Sequence, residues 1–165
     1  MIRACRPADT ERLYYIINEA AKAYEGHIPV DCYHQPYMPL EELKGEMARL
    51  TFYGWEEEGE PVGVMGLEPV RDITLIRHAY VMPAYQRRGI ASRLLVYLKE
   101  RVTTPRLLVG TWAGASWAIT FYEKHGFKLT ADKDRLLETY WDIPSRQIET
   151  SIVLVKDVLP ATPSL

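Results

Sequence analysis

The chain of 165 residues reads as an α+β fold in one domain, residues 1–165. Three observations lead there. Segments of helical period alternate with short β-branched and aromatic runs from one end to the other. No repeat, linker or low-complexity stretch interrupts them. The length suits one domain with a sizeable core, and 47% apolar with 25% charged residues is the composition of an ordinary globular protein.

"IRACRP" reads as a first strand, and a helix follows from Ala8 with Leu13, Ile16, Ile17, Ala20, Ala21 and Tyr24 at helical spacing. Residues 25–39, "EGHIPVDCYHQPYMP", break all periodicity with Pro29, Pro36 and Pro39. So long a connection is uncommon in a compact domain and, where real, is usually functional or mobile. "LEELKGEMARL" (40–50) is a second helix, with Leu40, Leu43, Met47 and Leu50 on one side. Two strands then form a hairpin about Gly59, and "DITLIRHAYVM" (72–82) is a further strand. Ile90, Leu94, Leu95, Leu98 and Val102 mark the buried stripe of the next helix. "RLLVGTW" (106–112) is a continuous apolar run, expected to be a strand buried on both faces. "ASWAITFYEKHGF" is a helix ended by Gly126 in the left-handed conformation. A strand from Phe127 and a short helix in "DKDRLLETYWDI" come next. "QIETSIVLVKDV" reads as the strand that closes the sheet, and "LPATPSL" (159–165) as a frayed tail.

The net charge of −2 gives no global basic field, so neither nucleic acid nor an acidic membrane is expected as a partner. Any anion site must be local. No apolar run approaches the ~18–20 residues of a membrane-spanning helix. The start, "MIRACRPADTERL", has no apolar signal core. Cys5 and Cys32, the only cysteines, read as reduced thiols, and a cytoplasmic location is expected.

One stretch carries the chemistry. In "YQRRGIASRLL" (85–95), two arginines run into a glycine where a helix begins. Helix starts favour acidic residues because their unpaired N–H groups carry partial positive charge. Arg87 and Arg88 oppose that preference, so a negative group is expected in that space. Gly89 would let an anion approach the backbone, and the helix N-terminus would supply N–H donors suited to phosphate. Taken alone, the pattern equally fits a loop-to-helix junction with solvated arginines. A lysine-ending P-loop, a dinucleotide glycine fingerprint and a G-x-S-x-G elbow are all absent.

The run "VMPAYQRRGIA" closely resembles V-x-P-x-x-Q/R-x-x-G-x-G/A, the acetyl-CoA motif of the GNAT superfamily of N-acetyltransferases. "AITFYEKHGF" resembles the A-x-x-F/L-Y-x-x-x-G-F of the same family, and the order of elements agrees from the first strand through Phe127. The resemblance implies a GNAT fold: a mixed, mostly antiparallel sheet of about seven strands flanked by helices and splayed between strands 4 and 5. It implies acetyl-CoA as cosubstrate, with the pantetheine arm bonded by backbone groups of Ala79, Tyr80 and Val81. Arg87, Arg88, Gly89, Ile90, Ala91 and Ser92 would form the pyrophosphate loop. Ala115 stands where many relatives carry a cofactor-binding asparagine, so that contact is lost or passes to Ser116. The resemblance also gives Tyr122 the place beside the thioester sulfur, where it could protonate the departing thiolate; otherwise it is a core aromatic.

The base is open at this level. Some relatives use a Glu or His on the fourth strand, which here offers Arg77 and His78, on opposite faces unless a bulge intervenes. Guanidinium stays charged, so Arg77 could only hold an acidic group of an acceptor. His78 has a suitable pKa but could equally be structural. Glu68 and Asp72 are weaker candidates.

On the acceptor side, Tyr33, His34 and Tyr37 of the 25–39 loop could form an aromatic pocket or merely anchor the loop. His27, Asp31, Cys32 and His34 match no zinc spacing, and no metal is expected. The expected partner is a small-molecule or peptide amine, and a homodimer is compatible with the family. The reading is an acetyltransferase acting in a ternary complex. Its rival is a non-catalytic acyl-CoA sensor or interaction module on the same fold.

Overall fold

The computed structural model of the protein describes residues 1–158, so the tail at 159–165 lies outside the described residues. Strand β1 (Ile2–Ala4) leads through a 3-10 turn at Pro7–Asp9 into helix α1 (Thr10–Ala21). Asp9 organises this entry, accepting the Arg6 backbone N–H at 2.7 Å and pairing with both terminal nitrogens of Arg3 at 2.8 and 2.9 Å. Helix α1 buries Leu13, Ile16, Ile17, Ala20 and Ala21, the face its periodicity predicts.

The 25–39 connection is not structureless. Its end is clamped by Asn18 of α1, whose amide donates to Met38 O (3.0 Å) and accepts from Met38 N (2.8 Å). Helix α2 (Leu40–Arg49) then leads into a hairpin of β2 (Thr51–Glu57) and β3 (Glu60–Val70). Glu58 and Gly59 have φ of 51° and 82°, the left-handed pair that matches strand twist in a two-residue hairpin.

Strand β4 (Ile73–Val81), helix α3 (Ile90–Lys99), strand β5 (Arg106–Trp112) and helix α4 (Ser116–Lys124) follow. The chain continues with β6 (Lys128–Leu129), α5 (Lys133–Tyr140), α6 (Ser145–Glu149) and β7 (Ser151–Asp157). The seven strands lie in the order β1-β2-β3-β4-β5-β7-β6, and only β4 and β5 run parallel. This is the mixed, mostly antiparallel sheet expected.

Two details differ from the sequence reading. Gln147–Glu149, expected as strand, belong to α6, because Pro144 O accepts the N–H groups of Gln147 (2.9 Å) and Ile148 (3.1 Å) and starts a helical turn. Strand β7 also does not lie at the edge of the sheet. It is inserted between β5 and β6, leaving the two-residue β6 outermost.

Helix α3 packs on one sheet face with Tyr122 and Phe127, around Met65, Leu67, Ile76, Leu107 and Val109. Helices α1 and α2 pack on the other face around Phe52 and Val64, and α5 covers Ile73, Leu75 and Leu108. No helix among the described residues is long and apolar enough to cross a membrane.

Candidate active site

The site is a gap in the sheet. Strands β4 and β5 pair only from Ile73–Arg106 to Ile76–Val109. Beyond that point β4 stays with β3, and β5 stays with β7. The β5-facing edge of β4 from Arg77 to Val81, including Ala79, Tyr80 and Val81, therefore has no partner strand. A cavity of about 540 Å³ occupies the split. Its walls come from the 25–39 loop, α2, β4, β5, α4 and the α5–α6 segment.

One end of β4 leads to the start of α3. Gly89 adopts φ 78° and Arg87 φ 65°, and no side chain caps the helix. The first-turn N–H groups are thus free to meet a ligand. A β-carbon on Gly89 would meet nothing within 4 Å, so the space before the helix is open. Ile90 is buried and anchors the helix, while Arg88 lies over the Tyr85 ring at 5.1 Å. Ser92 contacts His125 Nε2 at 3.1 Å. Ala91 lies in the same first turn. These residues form a cradle of backbone donors and local positive charge, which fits a pyrophosphate.

At the other end of the split, β4 changes phase. Gly66 pairs with Arg77 and Val64 with Tyr80, so Met65 faces two residues, His78 and Ala79. This is a β-bulge, with His78 at φ 56°. Ile76 before it and Ala79 and Val81 after it share the α3 face of the core, although their numbers differ in parity. Arg77 and His78 consequently both turn toward α2, where sequence alternation would have separated them.

They meet Glu46 there. Its Oε1 lies 3.2 Å from His78 Nε2 and 3.4 Å from Arg77 Nη2, and its Oε2 pairs with Arg49. Glu68 completes the cluster, at 3.1 Å from Arg49 Nε and 3.4 Å from Arg77 Nη1. Two carboxylates and two guanidiniums already balance. Burial raises the Glu46 carboxyl, but the His78 hydrogen bond and the charge of Arg77 outweigh it and bring the pKa to about 2. Burial and then Arg77 hold His78 below the ordinary imidazole value, against the opposing pull of Glu46. His78 is thus neutral at pH 7, and its ring stacks on Phe52 at 5.8 Å. Because Glu46 can only accept, Nε2 carries the hydrogen and Nδ1 is left as the acceptor.

Tyr122 enters from α4, packed edge-on against Phe121 and Phe127 at 5.0 and 5.4 Å. It lines the cavity, and burial holds its hydroxyl protonated far above neutral pH. Tyr24, Tyr37 and Tyr80 gather nearby: the Tyr24 and Tyr80 hydroxyls lie 3.4 Å apart, and Tyr24 tilts against Tyr37 at 5.2 Å. Trp112 Nε1 donates to the Tyr37 hydroxyl at 2.7 Å.

The 25–39 loop is tied across the cavity rather than hanging over it. Arg146 of α6 donates to both Asp31 oxygens, at 2.8 and 3.1 Å. Gly114 admits the His27 carbonyl so closely that any β-carbon there would overlap it. His34 and Tyr37 line the cavity, with His34 Nδ1 2.8 Å from Pro36 O. Tyr33 does not line it. It packs beside the Ile28–Trp112 cluster and accepts from Gln35 at 3.1 Å.

Arg77 lines the cavity, yet both its terminal nitrogens are engaged by Glu46 and Glu68 rather than left for an acceptor. Asp72 lies away from the site, accepting the Tyr140 hydroxyl at 2.8 Å. Ala115 is buried at the start of α4. Among the described residues, no three His, Cys, Asp or Glu side chains converge as a metal site.

The sequence reading missed Glu46, Trp141 and Arg146. Only Glu46 left a signal: it sits between Leu43 and Leu50 on the apolar face of α2, where a carboxylate needs a buried partner.

Comparison with known proteins agrees with this geometry. The family model described as "Acetyltransferase (GNAT) domain" matches residues 48–129. Peptidyl-lysine N-acetyltransferase YiaC of Escherichia coli is 29% identical over 83 residues, which are 50% of this chain and 53% of that protein. The chain thus spans about half the length of this curated relative. Among solved structures, the PaiA N-acetyltransferase of Thermoplasma acidophilum, in complex with coenzyme A, has 19% identity and a TM-score of 0.73 over 95% of this chain and 98% of that one. A Streptococcus mutans protein shares the fold at 16% identity and a TM-score of 0.74, over 96% of this chain and 99% of its own. The bare edge of β4, the uncapped start of α3 and these likenesses converge: the chain belongs to the GNAT superfamily of acetyltransferases.

Proposed function

We propose that the protein is an N-acetyltransferase that uses acetyl-CoA and an amine in a ternary complex. The observation that carries this reading is the split between β4 and β5, whose cavity joins an unpartnered strand edge to a protonated tyrosine, with the uncapped start of α3 following the end of the same strand. Acetyl-CoA supplies an acyl thioester when bound. The uncapped N–H groups of α3 hold its pyrophosphate, with Arg87 and Arg88 adding charge, and the edge of β4 from Ala79 to Val81 bonds its arm as a missing strand would.

The protein groups then divide the proton traffic. His78, neutral with a free Nδ1, accepts the proton released as the amine nitrogen bonds to the carbonyl carbon. Tyr122 donates its proton to the sulfur as the carbon–sulfur bond breaks. Burial keeps the proton on Tyr122 beforehand and makes the phenol a weaker acid than its ordinary ~10. It also destabilises a thiolate in the same site, raising the thiol above its ordinary ~8.5, so the transfer stays within reach. Tyr24, Tyr37, His34 and Trp141 line the acceptor side of the cavity, which suits the amine of a small molecule or of a peptide side chain. The two free cysteines fit a reducing, cytoplasmic compartment.

The test is release of free thiol from acetyl-CoA over a panel of small and peptidyl amines. Amine-dependent release supports the reading. Tight cofactor binding with no release for any amine would make the protein an acyl-CoA sensor instead.

A further inference from the structure

We infer that Glu46 is a positioning residue for the reaction, fixing the hydrogen of the base His78 on Nε2 so that Nδ1 is left to accept a proton. This rests on the acetyltransferase reading above. The carboxylate comes from α2 rather than from the strand that bears the histidine.

Three features of the geometry lead to it. The bulge turns His78 out of the alternation of β4 and onto the α2 side. Glu46 then bonds Nε2 at 3.2 Å while two guanidiniums hold both of its oxygens, so the carboxylate cannot rotate away. Finally, the charges that face the imidazole are arranged in a definite way. Arg77 comes from β4, Glu46, Glu42 and Arg49 from α2, and Glu68 acts from β3 through Arg77, while β2 presents only the apolar Phe52. Before reaction the paired cluster of Glu46, Glu68, Arg49 and Arg77 is neutral, and burial with the charge of Arg77 outweighs the weaker pull of Glu42, which disfavours a resting imidazolium. When His78 takes a proton, the nearest charge to it is Glu46. The carboxylate therefore fixes the tautomer and also stabilises the cation that forms, the division of labour seen between acid and imidazole in hydrolytic triads.

The experiment uses ¹⁵N NMR of the imidazoles together with the pH profile of turnover. The chain has four histidines, and His78 is assigned by its disappearance in His78→Asn. In the wild-type protein near pH 7.5, roughly one unit above an ordinary imidazole pKa, His78 shows the neutral form with hydrogen on Nε2. A hydrogen on Nδ1, or an imidazolium, overturns the inference without reference to any variant.

In Glu46→Gln the anion is removed, so the His78 titration midpoint moves to lower pH. The acid limb of kcat/KM follows it in the same direction, and kcat falls on the order of 10²-fold, the lower end of what a positioned base contributes. A midpoint and acid limb unmoved in a folded Glu46→Gln protein overturn the inference. The tautomer and titration readouts need no turnover, so they separate the two failures. If they behave as expected while no amine is acetylated, the acetyltransferase reading falls and the His78–Glu46 arrangement stands.

Discussion

The two sides of the split sheet solve the problem of holding a ligand in different ways. The side formed by β4 and the start of α3 works through backbone: a left-handed Gly89, an uncapped helix and an unpartnered strand edge. The opposite side works through side chains drawn from far apart in the chain, with Tyr37 against Trp112, Asp31 against Arg146, and Glu46 against Arg77 and His78. A backbone site tolerates substitution wherever the conformation survives. A side-chain site changes with every residue. The first kind is shared across a family, and the second makes a member individual.

Tyr122 stands where the two sides meet, and its loss gives the largest expected effect. Tyr122→Phe keeps the ring packed against Phe121 and Phe127 while removing the proton donor. We expect kcat and kcat/KM to fall together by ~10²–10⁴-fold, with thermal stability and cofactor affinity nearly unchanged. Near-normal turnover in steady-state assays would return Tyr122 to the core and leave solvent as the proton source.

Gly89→Val tests the backbone side. A β-branched residue at φ 78° costs about 1–3 kcal/mol, and the new side chain would project into the open space before α3. Calorimetric titration should show acetyl-CoA affinity weakened by roughly 10–100-fold, with the fold retained. Undiminished affinity would mean that the pyrophosphate does not approach here.

The smallest effect is expected on the side-chain side. Tyr37→Phe leaves the Trp112 N–H without the acceptor it has at 2.7 Å, a loss of about 1–3 kcal/mol for a buried donor. Melting should drop by several degrees and the KM for the amine should change, while acetyl-CoA affinity stays near wild type. If cofactor and amine were lost equally, the two sides would not be separable and the comparison would fail.

The same division explains what the sequence revealed. Gly89 with the arginines before it, and the helix that carries Tyr122, form two short runs, each with a spacing set by local backbone geometry, so these elements were legible. The helical stripe of α1 and the apolar run of β5 were legible because burial imposes a period on them. The role of Glu46 was not, since the β4 partners that give it one, Arg77 and His78, lie 31 and 32 residues away. The bulge in β4 left no pattern in its letters, because a left-handed His78 is fixed by the strand beside it and not by its own propensity. Helix α6 was hidden in a segment of mixed preference that Pro144 decides. Arg146 could not be linked to Asp31 until both ends of the chain were in place.

The bulge at His78 and Ala79 has a consequence for how this sequence can change. It works as a one-letter frameshift inside the strand: upstream of it, even-numbered positions face α3, and downstream odd-numbered ones do. Substitutions on either side can therefore drift independently, but a change of length cannot. Deleting one residue at the bulge would restore a regular strand and leave Tyr80 and Val81 on their present faces, but it would remove the device that sets Arg77 and His78 side by side toward α2. A change of length elsewhere in β4 would turn the residues on one side of it inside out, exchanging core contacts for cavity wall. Among natural variants of this chain, the stretch from Ile73 to Val81 should thus hold its length more strictly than its letters, and loops on either side should absorb the insertions.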